Sequence, residues 1–105
     1  MREIKFRAWE TIDGVMWEWP AVIQFGFKIL TDPTHITMQY TGLKDKNGKE
    51  IYEGDIVSFK VGKGMVAWDD GSAGFVVENE LMAVVYFKET EVIGNIYENP
   101  ELVPK

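Results

Sequence analysis

With 105 residues, 46% of them hydrophobic, the chain is long enough for one core and too apolar for disorder along its whole length. It has no cysteine, which excludes disulfides, thiolate metal sites and cysteine nucleophiles and fits a reducing cytoplasm. The net charge of −6 arises entirely in the second half: residues 1–52 carry seven basic and seven acidic side chains, residues 53–105 four and ten. Such an acidic field disfavours nucleic acid as a partner.

No run approaches the roughly 20 apolar residues of a membrane span, and the opening MREIKFRAWE lacks the apolar block of a signal peptide. A soluble protein of the cytoplasm with no membrane partner is the expectation.

Along residues 3–9, Ile4, Phe6 and Ala8 alternate with Glu3, Lys5 and Arg7, which predicts a half-buried strand. Asp13-Gly14 is a turn signal, and Val15, Trp17 and Trp19 alternate after it, so 3–19 reads as a hairpin. Pro20 and Pro33 bracket a segment in which Ile23, Phe25, Phe27 and Ile29 alternate with Gln24, Gly26 and Lys28. Glycine and β-branched residues there lower helix propensity, so this segment too reads as a strand. Ile36, Met38 and Tyr40 mark the next strand, with His35, Thr37, Gln39 and Thr41 on its polar face.

A turn-rich connection follows at 43–55, with Asn47-Gly48 as the strongest turn dipeptide and Gly54-Asp55 as the second. Beyond it, Val57, Phe59 and Val61 form one strand face, and Gly62-Lys63-Gly64 reads as a tight connection. Met65 to Trp68 predicts a short strand closed by Asp69-Asp70-Gly71-Ser72, and Phe75 and Val77 predict another. Leu81 to Phe87 is apolar throughout, which predicts a strand buried on both faces, with a helical turn over 80–83 as the alternative. Val92 to Tyr97 is the last strand, and Asn99-Pro100-Glu101 opens a short helical turn.

About nine short strands and no sustained helical spacing predict a mainly β fold, a small all-β domain. Its parts are N-terminal antiparallel strands over 1–42, the connection 43–55, and a barrel-like part over 56–105 on which the strands pack. From Gly54 onward the Gly-Asp turn, the strand Ile56-Val57-Ser58-Phe59 and the strand Met65-Val66-Ala67-Trp68 resemble an SH3-like, partly open barrel spanning about 51–98.

Three blocks carry a more specific resemblance: IKFRAW at 4–9, MQYTGLKDKNGKEIYEGDIV at 38–57 and EVIGNIYENPELV at 91–103. In this order they resemble the YopX family of small phage and prophage proteins. The resemblance implies a mostly β structure with an SH3-like element and a setting in the bacterial host cytoplasm. It supplies no established activity and no catalytic residues.

The residues themselves argue against catalysis. His35 is the only histidine, and without cysteine its co-ligands would have to be carboxylates, a poor zinc set; on the polar face of its strand it reads as solvated. Ser58 and Ser72 lie outside any G-x-S-x-G elbow. Adjacent Asp69 and Asp70, with Glu78 or Glu80, do not follow the calcium-loop pattern and read as a hairpin tip. Glu50, Glu53 and Asp55 among Lys44, Lys46 and Lys49 read as mixed charge on an exposed loop, and these lysines lack the phosphate-loop spacing.

No catalytic, metal or cofactor residues are therefore expected, and the chain is not expected to be an enzyme. Aromatic residues, enriched at interface hot spots, offer the best candidate surface: Trp9, Trp19, Tyr52 and Trp68. The function they point to is a non-enzymatic binding or assembly module engaging a protein partner or copies of itself as a homo-oligomer. The alternatives are a nucleic-acid accessory protein or an acidic DNA mimic that occupies a basic host protein.

Overall fold

A computed structural model of the chain describes residues 3–82 and 84–103. The chain divides into two compact units, Met1–Tyr40 and Thr41–Lys105. Its described strands form two antiparallel sheets, one curled into a half-barrel, so the fold is mainly β as the alternating pattern predicts. Among the described residues, no helix is long and apolar enough to cross a membrane.

In the first unit, β1 (Phe6–Glu10) pairs with β2 (Val15–Trp17) in the expected hairpin, Glu10 opposite Val15 and Ala8 opposite Trp17. The Glu10 carboxylate accepts hydrogen bonds from the Ile12 and Asp13 backbone N–H groups, which holds the loop, and Gly14 supplies the positive φ of 71°. On its other side β1 pairs with the first part of β3 (His35–Lys44), Phe6 opposite Gln39 and Glu10 opposite His35.

The segment expected as a strand between the two prolines is instead two short helices, α1 (Trp19–Phe25) and α2 (Phe27–Thr31). Pro20 sits in the first helical turn, where a missing N–H costs nothing because the helix leaves that group unpaired anyway. Gly26, at φ 74°, ends α1 and donates its N–H to the Val22 carbonyl at 2.8 Å. Burial follows the helical period. Val22 and Ile29 join Ala8 in the core with Trp17, Trp19 and Leu30 against them, while Ile23 and Phe25 stay exposed. The Phe27 side chain lies outside the described residues.

In the second unit, the last residues of β3 form a hairpin with β4 (Glu50–Tyr52), and the Thr41 hydroxyl donates to the Ile51 carbonyl at 2.8 Å. A two-residue turn leads to β5 (Asp55–Phe59), the centre of the second sheet. That sheet runs β7-β6-β5-β8, with β6 (Gly62–Asp69), β7 (Gly74–Glu78) and β8 (Glu91–Asn95). Ile56 pairs with Gly94 and Val57 with Val92, so Ile93 is a bulged extra residue that bends the strand. Ile51, Val57, Val66 and Val77 form the core, with Phe59, Val85, Phe87 and Val92 packed on it.

Three expectations for this unit are corrected. The turn after β5 is Lys60-Val61, leaving Val61 exposed; Gly62, Lys63 and Gly64 belong to β6. Gly64 is glycine for close approach rather than for a turn, since a Cβ there would lie 2.4 Å from the Glu78 carbonyl oxygen. The described residues of 81–86 form no buried strand but a connection with Leu81, Met82, Val84 and Tyr86 exposed, opened by a turn in which the Met82 N–H donates to the Asn79 carbonyl at 3.1 Å. Ala83, the end of the alternative helical turn, lies outside the described residues.

Candidate interaction surface

Most of the polar residues in the sequence motifs are committed to backbone groups. In the β3–β4 turn, Asp45 Oδ1 accepts the N–H groups of Asn47 and Lys49, each at 2.9 Å, and Oδ2 accepts that of Val92, also at 2.9 Å. Burial of this carboxylate raises its pKa, but the bonds from Val92, Lys49 and Asn47, with the Lys49 charge, outweigh burial and hold it below the ordinary aspartate value. Beside it, the Lys46 N–H reaches the Thr90 carbonyl at 2.9 Å.

The Gly-Asp turn uses the same device. Asp55 is buried, and its Oδ2 accepts the Tyr52 N–H at 2.8 Å. Gly54 at φ 83° donates to Val66 and accepts from Ile96, both at 2.9 Å. In the C-terminal block, Asn95 Oδ1 accepts the Tyr97 and Glu98 N–H groups, and Asn99 Oδ1 accepts the Asn95 N–H at 3.1 Å. Asn99 thus precedes the expected 3₁₀ turn Pro100–Leu102, but its side chain serves Asn95 rather than capping that turn.

His35 is not solvated: its side chain is 11% exposed. The Asp32-Pro33-Thr34 turn covers it, with Nδ1 lying 3.2 Å from the Thr34 hydroxyl and 3.7 Å from Asp32 Oδ1. Asp32 is held by the Thr34 hydroxyl at 2.6 Å and the Thr34 N–H at 2.8 Å; these bonds and the neighbouring His35 keep its pKa below the usual value. The shallow cavity at His35, about 230 Å³, is otherwise lined by Trp17, Phe25, Lys28 and Ile29.

Asp69 accepts from Ser72, which lowers its pKa, and Asp70 accepts the Trp68 indole N–H at 2.7 Å. The hairpin-tip reading describes both. Among the described residues, no three of His, Asp or Glu lie close enough to hold a metal ion.

The four candidate aromatics separate. Tyr52 is 6% exposed and offers no face to a partner. Trp9 and Trp19 are half-buried; Trp19 packs on the first unit's core and tilts against Phe6 at 6.3 Å. Trp68 is 47% exposed and stands edge-on to Phe75 at 5.2 Å.

The larger apolar surface was masked in the sequence by its own hydrophobicity. Leu81, Met82, Val84 and Tyr86 are 61%, 91%, 84% and 63% exposed, while Val85 and Phe87 turn inward onto the core. At the start of this connection, Phe59, Val61, Leu81 and Val103 line a groove of about 480 Å³ with Lys63, Glu80 and Glu101 beside them. At its end, Leu43, Val85, Tyr86 and Phe87 line a second depression of about 270 Å³ with Lys44 and Lys88. The sequence did carry one signal: Leu81–Phe87 lacks the bounding turns and alternation of the neighbouring strands.

No curated protein matches this chain. The crystal structure of protein EF1440 from Enterococcus faecalis is similar, with a TM-score of 0.72 and 26% identity over 98% of this chain and 99% of that one. The YopX protein family model matches residues 23–104, a span that includes two of the three resembling blocks, and the chain belongs to the YopX family.

Proposed function

We propose that this chain is a non-enzymatic binding or assembly module whose contact face is the apolar connection of the second unit. The observation that carries the reading is the joint exposure of Leu81, Met82, Val84 and Tyr86. Large apolar side chains clustered on a surface are favourable to bury against a partner, and such patches mark interaction sites. Exposed Trp68 supplies a further aromatic anchor. The acids and amides that could have served chemistry are instead bound to backbone groups, as Asp45, Asp55 and Asn95 illustrate. On this reading the curled sheet is an SH3-like scaffold, and the setting is the cytoplasm of a bacterial host carrying a phage or prophage.

Photo-crosslinking in bacterial cells tests this, with the crosslinking residue placed at Met82 or Val84 and, as a control, at exposed Asp13. Protein adducts specific to 82 and 84 are expected, and Leu81→Asp should suppress them. Adducts no more abundant than at Asp13 would remove the reading. Salt-sensitive DNA binding in the same fold would replace it with the nucleic-acid alternative.

A further inference from the structure

Resting on the reading of this unit as an assembly module, we infer that its partner includes a second copy of the chain, docked head-to-tail. The acidic apolar groove of one molecule receives the basic apolar step of the next. The two sites lie at opposite ends of one connection and share no lining residue, so filling one does not use up the side chains of the other.

The groove has an apolar floor of Phe59, Val61, Leu81 and Val103, and Gly62 leaves that floor open between Phe59 and Leu81. Glu80 and Glu101 stand on it with Lys63, and a contiguous depression adds Glu78 and Met65. Three carboxylates against one ammonium make the groove acidic. The step presents exposed Leu43 and Tyr86 between Lys44 and Lys88. Of the residues that line the step, Lys44 and Lys88 are the charged ones, and no acid lines it.

Each site is thus apolar at its centre and charged at its edge, with opposite signs. That is the pattern by which an interface excludes water at the core and selects its partner at the rim. A chain with net charge −6 repels its own copies at long range, so docking requires a local match of opposite sign, and these two sites supply one. Because the surfaces differ, the contact is heterologous and propagates into a ring or a short filament rather than closing as a two-fold dimer.

Size-exclusion chromatography with light scattering provides the test. Wild-type mass should rise above the monomer with concentration, and association should weaken about tenfold between low and high salt as the rim charges are screened. Lys44→Glu with Lys88→Glu reverses the step; Glu80→Lys with Glu101→Lys reverses the groove. All four side chains are exposed, so both variants should keep the wild-type melting curve. Each variant alone should be monomeric, and an equal mixture should reassemble, because the reversed groove meets the reversed step. As a second readout, the chain has no cysteine, so Leu81→Cys and Tyr86→Cys variants can be combined and treated with a mild oxidant such as copper phenanthroline to take up the two electrons. They should form a mixed disulfide in excess of the disulfide either variant forms with itself.

A wild type that remains monomeric at low salt, or assembly that survives in both charge variants, overturns the inference. If it fails while Met82 and Val84 still crosslink to other proteins, the module reading stands without self-assembly. If those crosslinks are also absent, both readings fall.

Discussion

The Val92 N–H donates to Asp45 Oδ2 at 2.9 Å across 47 positions of sequence, joining the tip of the β3–β4 hairpin to the start of β8. The other oxygen of the same carboxylate organises the hairpin turn through Asn47 and Lys49. One buried side chain therefore fixes a local turn and a long-range contact together. Replacing Asp45 with Asn keeps an acceptor for the turn but turns an amide donor toward the Val92 N–H. An unmatched buried donor pair predicts a loss of about 2–3 kcal/mol. Thermal unfolding should report it as a fall in Tm of roughly 10–20 °C for a domain of this size. A Tm within two or three degrees of wild type would show that this carboxylate does not hold the two segments.

The same carboxylate sets the acid response. Asp45 has a folded-state pKa below its ordinary value of 3.8, so it binds a proton more readily when unfolded. Its contribution is therefore complete above the ordinary aspartate pKa and is lost as pH falls through the depressed folded value. Asp32 and Asp69 shift the same way, but their bonds to Thr34 and Ser72 lie in more exposed turns, where solvent weakens their effect. Urea midpoints measured from pH 7 downward should stay level near neutrality and decline in the acid range below about 4. In Asp45→Asn that decline should be shallower; an unchanged acid arm would assign it to other groups.

The strands and turns were legible because their causes are local. Ala8, Met38, Val57 and Val77 fall on buried positions of alternating runs, and Gly48 and Gly54 take the positive φ their turns require. The α1 and α2 segment was misread because Ile23, Phe25 and Ile29 happen to alternate; only Ile29 is buried, and Pro20 belongs to a helix start. His35 was misplaced because its strand parity says nothing about the Asp32–Thr34 turn folded over it. The exposed apolar connection was least legible: an apolar run such as Leu81–Phe87 has the same letters whether it is buried by its own chain or left in solvent.

Gly64 provides a test of packing rather than of turn geometry. A methyl group there would meet the Glu78 carbonyl oxygen at 2.4 Å and Val77 Cγ1 at 2.6 Å, so the β6–β7 pair must move apart. Gly64→Ala should destabilise by about 2–4 kcal/mol, as overpacking against backbone does. Gly48→Ala meets no atom within 4 Å and bears only the strain of its φ of 83°, a cost of roughly 1–2 kcal/mol. Chemical denaturation of the two variants should rank Gly64→Ala as the more damaging. The reverse order would mean that β6 and β7 are farther apart than this register places them.

The exposed connection makes an opposite prediction to the one its hydrophobicity suggests. If Leu81–Phe87 were a core strand, truncating any of its apolar side chains would leave a cavity and cost several kcal/mol. Met82 instead stands in solvent at a φ of 51°, making no contribution to the core of Ile51, Val57, Val66 and Val77. Met82→Ala should therefore change stability by less than about 0.5 kcal/mol, whereas Ile51→Ala, fully buried, should cost roughly 2–5 kcal/mol. Measured by urea unfolding at low protein concentration, the contrast isolates folding from association. A large loss in Met82→Ala under those conditions would return the connection to the core and remove the exposed apolar face on which the proposed contact rests.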